Sequence, residues 1–347
     1  MKLSGAANVV ALSALVLAGC GAPPDDEAVV RISQAQTTTR ATPSGQVKTL
    51  VFVPPGSARA AAAASQDKTL SKLSVFFPRK GQTSDGLCWQ SLVVDAAGNV
   101  YPLGSGMLSK LTSQGQFVNG ENDSNFFVTS ETAGFSIVLD QARGTLFMPG
   151  RNDAVLSGPF VLGAVLTNFV SGGGLAAANE IALGRGPLAG NLFVTDFLTN
   201  SVYRVTIDSL SVSVFLGPSE LLQSPQAIAS APDGTLYVVD ASFGAWRLIK
   251  ITPGGVATVF NDGTGTGGGT QARNMVAVDA QGTVLWSFPK GVARFRPDGT
   301  RLTDLPGPKG KGEFLSPGGA AFDSRGALYF VDNAGCKLIY RYSDTKK

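Results

Sequence analysis

The chain has 347 residues, of which 44% are hydrophobic and 15% charged, with 43 glycines and 19 prolines. This composition excludes a miniprotein, a coiled coil and a disordered polymer, and it allows one closed all-β ring. The net charge of +3 is too small and too scattered to suggest a nucleic-acid partner, and the absence of histidine excludes Ser-His-Asp catalysis and imidazole metal ligation together.

Residues 1–19 carry a single charge, Lys2, followed by a small and apolar run from Ala6 to Ala18 that is too short for a finished membrane span. This is the pattern of a signal peptide. It ends in Leu17-Ala18-Gly19-Cys20, which looks like a bacterial lipobox, with Cys20 as the residue that receives the lipid. Gly21 follows Cys20, so no aspartate marks the chain for inner-membrane retention, and the expected location is the outer membrane of a bacterial cell envelope. Residues 20–46 are polar, Pro-containing and without period, as in a flexible tether. The lipid makes the membrane one partner; the other is an unidentified ligand or envelope protein.

From residue 47 the chain is expected to form one propeller domain reaching residue 347. Its signature is a repeat of two apolar strands joined by a Gly turn, first in Leu92-Val93-Val94-Asp95-Ala96-Ala97-Gly98-Asn99-Val100-Tyr101. The turn glycines are Gly98, Gly144, Gly190, Gly234, Gly282 and Gly326, separated by 46, 46, 44, 48 and 44 residues. Each unit continues into two more strand-like runs, as in Trp246 to Ile251 and Val256 to Phe260. Four strands per unit and six units make a six-bladed β-propeller. No interval between strands carries the helical period of a βαβ array.

The sixth unit ends after its third strand, so its outer edge must be covered. Two segments ahead of the first blade are available for this, Val47 to Val53 and Leu70 to Phe77, and the sequence does not choose between them.

Residues 82–343 resemble the SMP-30/gluconolactonase family and the neighbouring NHL-repeat propellers. Asp85-Gly86-Leu87-Cys88-Trp89 is similar to the family's Glu-Gly-Pro-x-Trp, and Asn179-Glu180 to its Asn-Asp. Pro225-Gln226-Ala227-Ile228-Ala229 is similar to Pro-Asn-Gly-(Ile/Leu)-Ala, and Asn274-Met275-Val276-Ala277-Val278-Asp279 to Asp-Gly-Met-x-Val-Asp. The resemblance implies a site where the inner strands enter the central tunnel. There the family holds a divalent ion with Glu, Asn, Asn and Asp, and this chain offers Asp85, Asn179, Gln226 and Asn274. Asn274 stands where the family places its catalytic aspartate, and an amide neither accepts a proton at neutral pH nor adds charge to an ion.

The expected site is therefore a polar ring at the tunnel mouth made of Gln90, Asn179, Glu180, Gln226 and Asn274, binding a ligand or partner without catalysis. The alternative that the resemblance implies is a metal-dependent lactonase. In it Asp85, Asn179, Glu180 and Asn274 hold a cation such as calcium, and Glu180 and Asp85 serve the chemistry.

Other segments read more plainly. The glycine-rich stretch Asn261 to Thr270 lacks the Gly-Lys-Ser/Thr ending of a phosphate loop and reads as a connector. Glu121 to Asn125 lacks EF-hand spacing and reads as a solvated turn, and Lys309-Gly310-Lys311 as a soluble basic loop. The connections 119–134, 171–178, 217–224, 261–273 and 306–316 each join an outer strand to the next inner one, so they share the face of the tunnel mouth. With Cys20 lipidated, Cys88 and Cys336 remain, and both fall on that same face in adjacent blades. An envelope compartment permits a disulfide between them at the seam of the ring.

Overall fold

The computed structural model describes residues 29–32, 37–41, 47–51, 70–78, 88–104, 106–118, 128–130, 135–150, 153–242, 245–263, 275–288, 291–308, 314, 316–332 and 338–344. Expectations for Cys20, Asp85, Asn274, Cys336, residues 121–125 and the Lys309–Lys311 loop lie outside them. The chain divides into two units, Met1–Asp67 and Lys68–Lys347.

The first unit contains β1 (Val29–Ile32), β2 (Thr37–Ala41) and β3 (Val47–Val51), antiparallel neighbours in one three-stranded sheet. Here the structure differs from the expected tether over residues 20–46 and from a propeller starting at residue 47. Val29, Val30, Ile32 and Thr37 to Thr39 are β-branched, and such residues favour strands even within a polar, Pro-containing stretch.

The second unit is all-β, with one 3-10 turn at Gly186–Leu188 among the described residues. It opens with β4 (Leu70–Phe77). Blade one is β5 (Trp89–Val94), β6 (Val100–Gly104), β7 (Met107–Leu108) and β8 (Val128–Ser130). Blade two is β9 (Val138–Asp140), β10 (Thr145–Pro149), β11 (Ala154–Pro159) and β12 (Ala164–Ser171). Blade three is β13 (Ala178–Leu183), β14 (Asn191–Asp196), β15 (Ser201–Thr206) and β16 (Ser211–Leu216). Blade four is β17 (Pro225–Ser230), β18 (Leu236–Ser242), β19 (Ala245–Ile251) and β20 (Ala257–Asn261). Blade five is β21 (Val276–Val278), β22 (Val284–Phe288), β23 (Gly291–Phe295) and β24 (Leu305–Pro306). Blade six is β25 (Pro317–Phe322), β26 (Leu328–Asp332), β27 (Leu338–Asp344) and, on its outer edge, β4.

Within each blade the strands are antiparallel neighbours from the channel outward. All six repeat glycines sit in the left-handed region, with φ from 60° at Gly144 to 85° at Gly234, as tight first hairpins require. In blades one, five and six an aspartate fixes the same hairpin. Asp95, Asp279 and Asp323 accept the backbone N–H four residues on, from Asn99, Thr283 and Ala327, at 2.8, 2.8 and 2.9 Å. One feature has no sequence signal: the outer strands β8 and β12 pair in parallel, so blades one and two form one eight-stranded sheet. Each strand thereby covers an edge the other would leave bare.

Six apolar clusters lie between successive blades, one for each junction of the ring. The junction of blades six and one is the seam. β4 pairs with β27 from Ile339↔Phe77 to Asp344↔Leu70, which settles the choice between the two candidate segments. Val47–Val51 pairs with β2 instead. A register shift between Ile339 and Tyr340 leaves Phe76 as the extra residue of β4, and it enters the seam, where it meets Tyr329 edge-on at a centroid distance of 4.9 Å. Phe77 is fully buried and contacts Trp89 and Phe117 in the same way.

On the channel side, β25 approaches β5 so closely that a side chain has no room. A Cβ on Gly318 would lie 2.6 Å from the Gln90 carbonyl oxygen, and one on Gly319 would overlap the Ser91 side chain and stand 2.7 Å from its Cα.

Two expected outcomes follow from the seam. Deletion through Asp67 should leave the melting temperature of the ring nearly unchanged. Deletion through Pro78 removes Phe76 and Phe77 from their burial, each worth about 3–5 kcal/mol, and should give an insoluble or cooperatively destabilised protein by differential scanning calorimetry. Gly319→Ala should cost about 1–3 kcal/mol in chemical denaturation through overpacking. Gly217→Ala, whose Cβ would meet only Val214 at 3.7 Å, should cost less than 1 kcal/mol.

Candidate functional site at the channel mouth

The inner strands converge on an axial channel of about 370 Å³, at the small end of the range for ligand cavities. Its wall is mostly small and aliphatic: Ile181, Ala182, Ala227, Ile228, Val276 and Val278 line its middle. Its charged lining residues are Glu180 and Arg185, one at each end of β13. By strand rise their Cα atoms stand on the order of 15 Å apart.

The mouth is the end where the inner strands begin. β5, β13, β17 and β25 each break ladder register there, between Trp89 and Ser91, Ala178 and Ile181, Pro225 and Ala227, and Pro317 and Ala320. An extra residue in one strand re-aims the side chains next to it. The residues within these breaks are Gln90, Asn179 and Glu180, Gln226, and the glycine pair of β25. Four of the five residues expected at the mouth thus share one backbone device, and the fifth, Asn274, lies outside the described residues.

Two of these side chains are tied directly. Asn179 is buried, and its Nδ2 donates to the Gln226 carbonyl oxygen at 2.8 Å and to Gln226 Oε1 at 3.4 Å. Gln226 Nε2 in turn donates to Ser224 Oγ at 2.9 Å. The Glu180 backbone N–H donates to the buried Thr195 Oγ1 at 3.1 Å, and Glu180 lines the channel while Asn179 turns outward to blade four. Gln90 brings a buried Oε1 that has no hydrogen-bond partner. The mouth is therefore a set of neutral amides with one carboxylate among them. Among the described residues no three of the acidic or thiol side chains come together as a metal site.

The loops above the mouth are anchored by aspartates that sequence reasoning missed. Asp196 ends β14 fully buried, and its Oδ2 accepts the N–H groups of Ala176 and Ala177 at 2.6 and 2.8 Å. Asp240, two residues before the end of β18, accepts those of Gln223 and Ser224 at 2.9 and 2.7 Å, and it pairs with Arg247 at 3.0 Å. Asp332 ends β26 and accepts that of Ser316 at 2.8 Å. In each case a second-strand carboxylate holds the segment leading into its own blade's first strand. The signal was in the sequence: Phe193-Val194-Thr195-Asp196, Tyr237-Val238-Val239-Asp240 and Tyr329-Phe330-Val331-Asp332 end alike. Their role needs the fold, because the bonded backbone lies 16 to 20 residues away.

Comparison of the sequence with models of known families and with curated proteins gives no match. Solved structures match in fold. A gluconolactonase from Xanthomonas campestris is 18% identical with a TM-score of 0.57, over 81% of this chain and 93% of that one. A calcium-binding protein, regucalcin, from Agrobacterium tumefaciens is 18% identical with a TM-score of 0.51, over 74% and 90%. Catalytically inactive virginiamycin B lyase from Staphylococcus aureus, with quinupristin, is 14% identical with a TM-score of 0.51, over 93% of each chain. The likeness is one of fold, and it agrees with the resemblance carried by the repeat: this chain is an all-β, six-bladed propeller built like the gluconolactonase and regucalcin structures.

Proposed function

We propose that the protein is a binding module of the bacterial cell envelope, which takes up a polar ligand or a partner protein on its loop-bearing face without catalysing a reaction. The observation that carries this reading is the mutual bonding of Asn179 and Gln226 at the mouth. Neutral amides that brace one another present paired donors and acceptors to hydroxyl and amide groups. A hard divalent cation instead takes six to eight oxygens, several of them charged, and the described residues of the mouth supply one carboxylate, Glu180. By themselves they do not fit such an ion.

The second reading is a metal-dependent lactonase, favoured by Glu180 beside the amides and by the fold likeness to a gluconolactonase. A panel of sugar lactones separates the two. Hydrolysis at the uncatalysed rate with and without calcium is the expected result, together with a thermal-shift response to polar uncharged ligands that Asn179→Ala removes. Calcium-dependent turnover abolished by Glu180→Gln overturns it.

The envelope location rests on Cys20 and the apolar run before it. The seam disulfide rests on Cys88, which directly precedes β5, and on the position of Cys336 between β26 and β27. That connection leaves β26 at the end where β5 begins, in the neighbouring blade. Such a bridge closes a loop of more than 100 residues, worth on the order of 5 kcal/mol in the chain-entropy model. Mass spectrometry of the mature protein should find a lipidated N-terminal Cys20, absent in Cys20→Ser, and a linked Cys88–Cys336 peptide. Cleavage elsewhere with an unmodified Cys20, or two free thiols in the unreduced chain, would refute the respective assignment.

A further inference from the structure

The end of the channel opposite the mouth holds a cation, Arg185, that makes no ion pair with a described carboxylate. In blades two and six, an arginine in the first hairpin is held by the aspartate of the same turn: Arg143 with Asp140 at 2.9 Å, and Arg325 with Asp323 at 3.2 Å. Blade three has the arginine without the aspartate. Gly184 occupies the place of that aspartate, since its N–H bonds the Asn191 carbonyl as the N–H of Asp323 bonds that of Ala327. A side chain cannot return there, because a Cβ on Gly184 would overlap the Leu188 carbonyl oxygen, which the 3-10 turn folds over it. Arg185 is therefore left without an acidic partner in its turn.

Arg185 lines the channel, half-buried, and Nη1 donates to the Ser230 carbonyl oxygen at 3.3 Å. No ion pair joins it to any described carboxylate. Asp279 contributes to the field at Arg185, and its Oδ1 is already engaged by the N–H groups of Gln281 and Thr283, at 2.9 and 2.8 Å. Burial lowers the guanidinium pKa, and that field opposes the shift. A second observation meets the first at the same place. Ser230 also lines the channel, is 7% exposed, and its Oγ is buried without a hydrogen-bond partner. A buried hydroxyl left unpaired is unfavourable, and so is a half-buried guanidinium that no described carboxylate pairs with. One acceptor with negative charge satisfies both.

We propose that the foot of the channel is an anion site, in which Arg185 and Ser230 hold the carboxylate of a small monocarboxylic acid whose aliphatic part lies along the channel. The planar fork of arginine matches a carboxylate with two parallel N–H bonds, and the Ser230 hydroxyl supplies a third donor. Beyond them the lining is part polar and part apolar, the latter at Ile181, Ala182, Ile228, Val276 and Val278. These side chains lie mostly in the junctions between blades, so along a portion of the channel a hydrocarbon chain meets apolar surface. A volume of about 370 Å³ accommodates a short one. This site is separate from the amide ring and does not depend on it.

Sodium hexanoate, titrated by calorimetry into the full-length protein, tests the proposal. Binding should weaken about tenfold or more in Arg185→Met, and less in Ser230→Ala. It should be weak for 1-hexanol and for inorganic phosphate, which respectively lack the charge and the chain. Asn179→Ala should leave it unchanged, so that failure here and failure of the mouth reading are distinguishable. If Arg185→Met does not fold, Arg185→Lys keeps the charge, loses the fork, and should still weaken hexanoate severalfold. No hexanoate binding, equal affinity in Arg185→Met or Arg185→Lys, phosphate binding as tightly as hexanoate, or loss of binding in Asn179→Ala each overturns the proposal.

Discussion

Pairing of Leu70–Phe77 with Leu338–Asp344 joins segments that are some 270 residues apart in sequence, and this one antiparallel ladder keeps the ring closed. A blade buries its faces only against its two neighbours, so an open seam would expose the face of blade six and the face of blade one together. Phe76, Phe77, Trp89 and Tyr329 fill that junction, and Gly318 and Gly319 let the two inner strands meet at the channel. The channel itself depends on this closure, since its wall draws on every blade from Ser91 to Phe322.

Closure also explains the polarity of the molecule along its axis. At the mouth, four of the inner strands enter through register breaks, and the segments leading into those of blades three, four and six are held by Asp196, Asp240 and Asp332. At the foot the hairpins are tight, turned by glycines at positive φ and fixed by Asp95, Asp279 and Asp323. One face is thus free to vary in loop length above a rigid rim, where binding surfaces ordinarily sit. On the other face the turns are short, and in blade three Gly184 and Arg185 place a cation there with no acidic partner in its own turn.

The two ends of the channel differ in the kind of group they suit. Amides at the mouth are neutral, and their hydrogen bonds to one another set their orientation without committing every donor and acceptor. The guanidinium at the foot is charged and half-buried, and it stands beside an unpaired hydroxyl. The residues of β13 between Glu180 and Arg185 that line the channel, Ile181, Ala182 and Leu183, carry no charge.

The repeat of about 46 residues was legible in the sequence because a hairpin turn needs glycine at a fixed place in each blade. From Gly98 to Gly326 the turns alone determined an all-β ring of six blades. The need for an N-terminal strand was legible too, since the sixth unit stops one strand short. Which strand it is was not legible: Val47–Val51 and Leu70–Phe77 have the same local propensity, and only the burial of Phe76 and Phe77 against Tyr329 and Trp89 distinguishes them. Of the mouth, the sequence determined the residue types Gln90, Asn179, Glu180 and Gln226; the register breaks that turn Asn179 toward Gln226 and leave Glu180 lining the channel came from strand packing. Arg185 and Ser230 carried no motif at all. They lie 45 residues apart on different blades, and only the convergence of inner strands on one axis makes them neighbours.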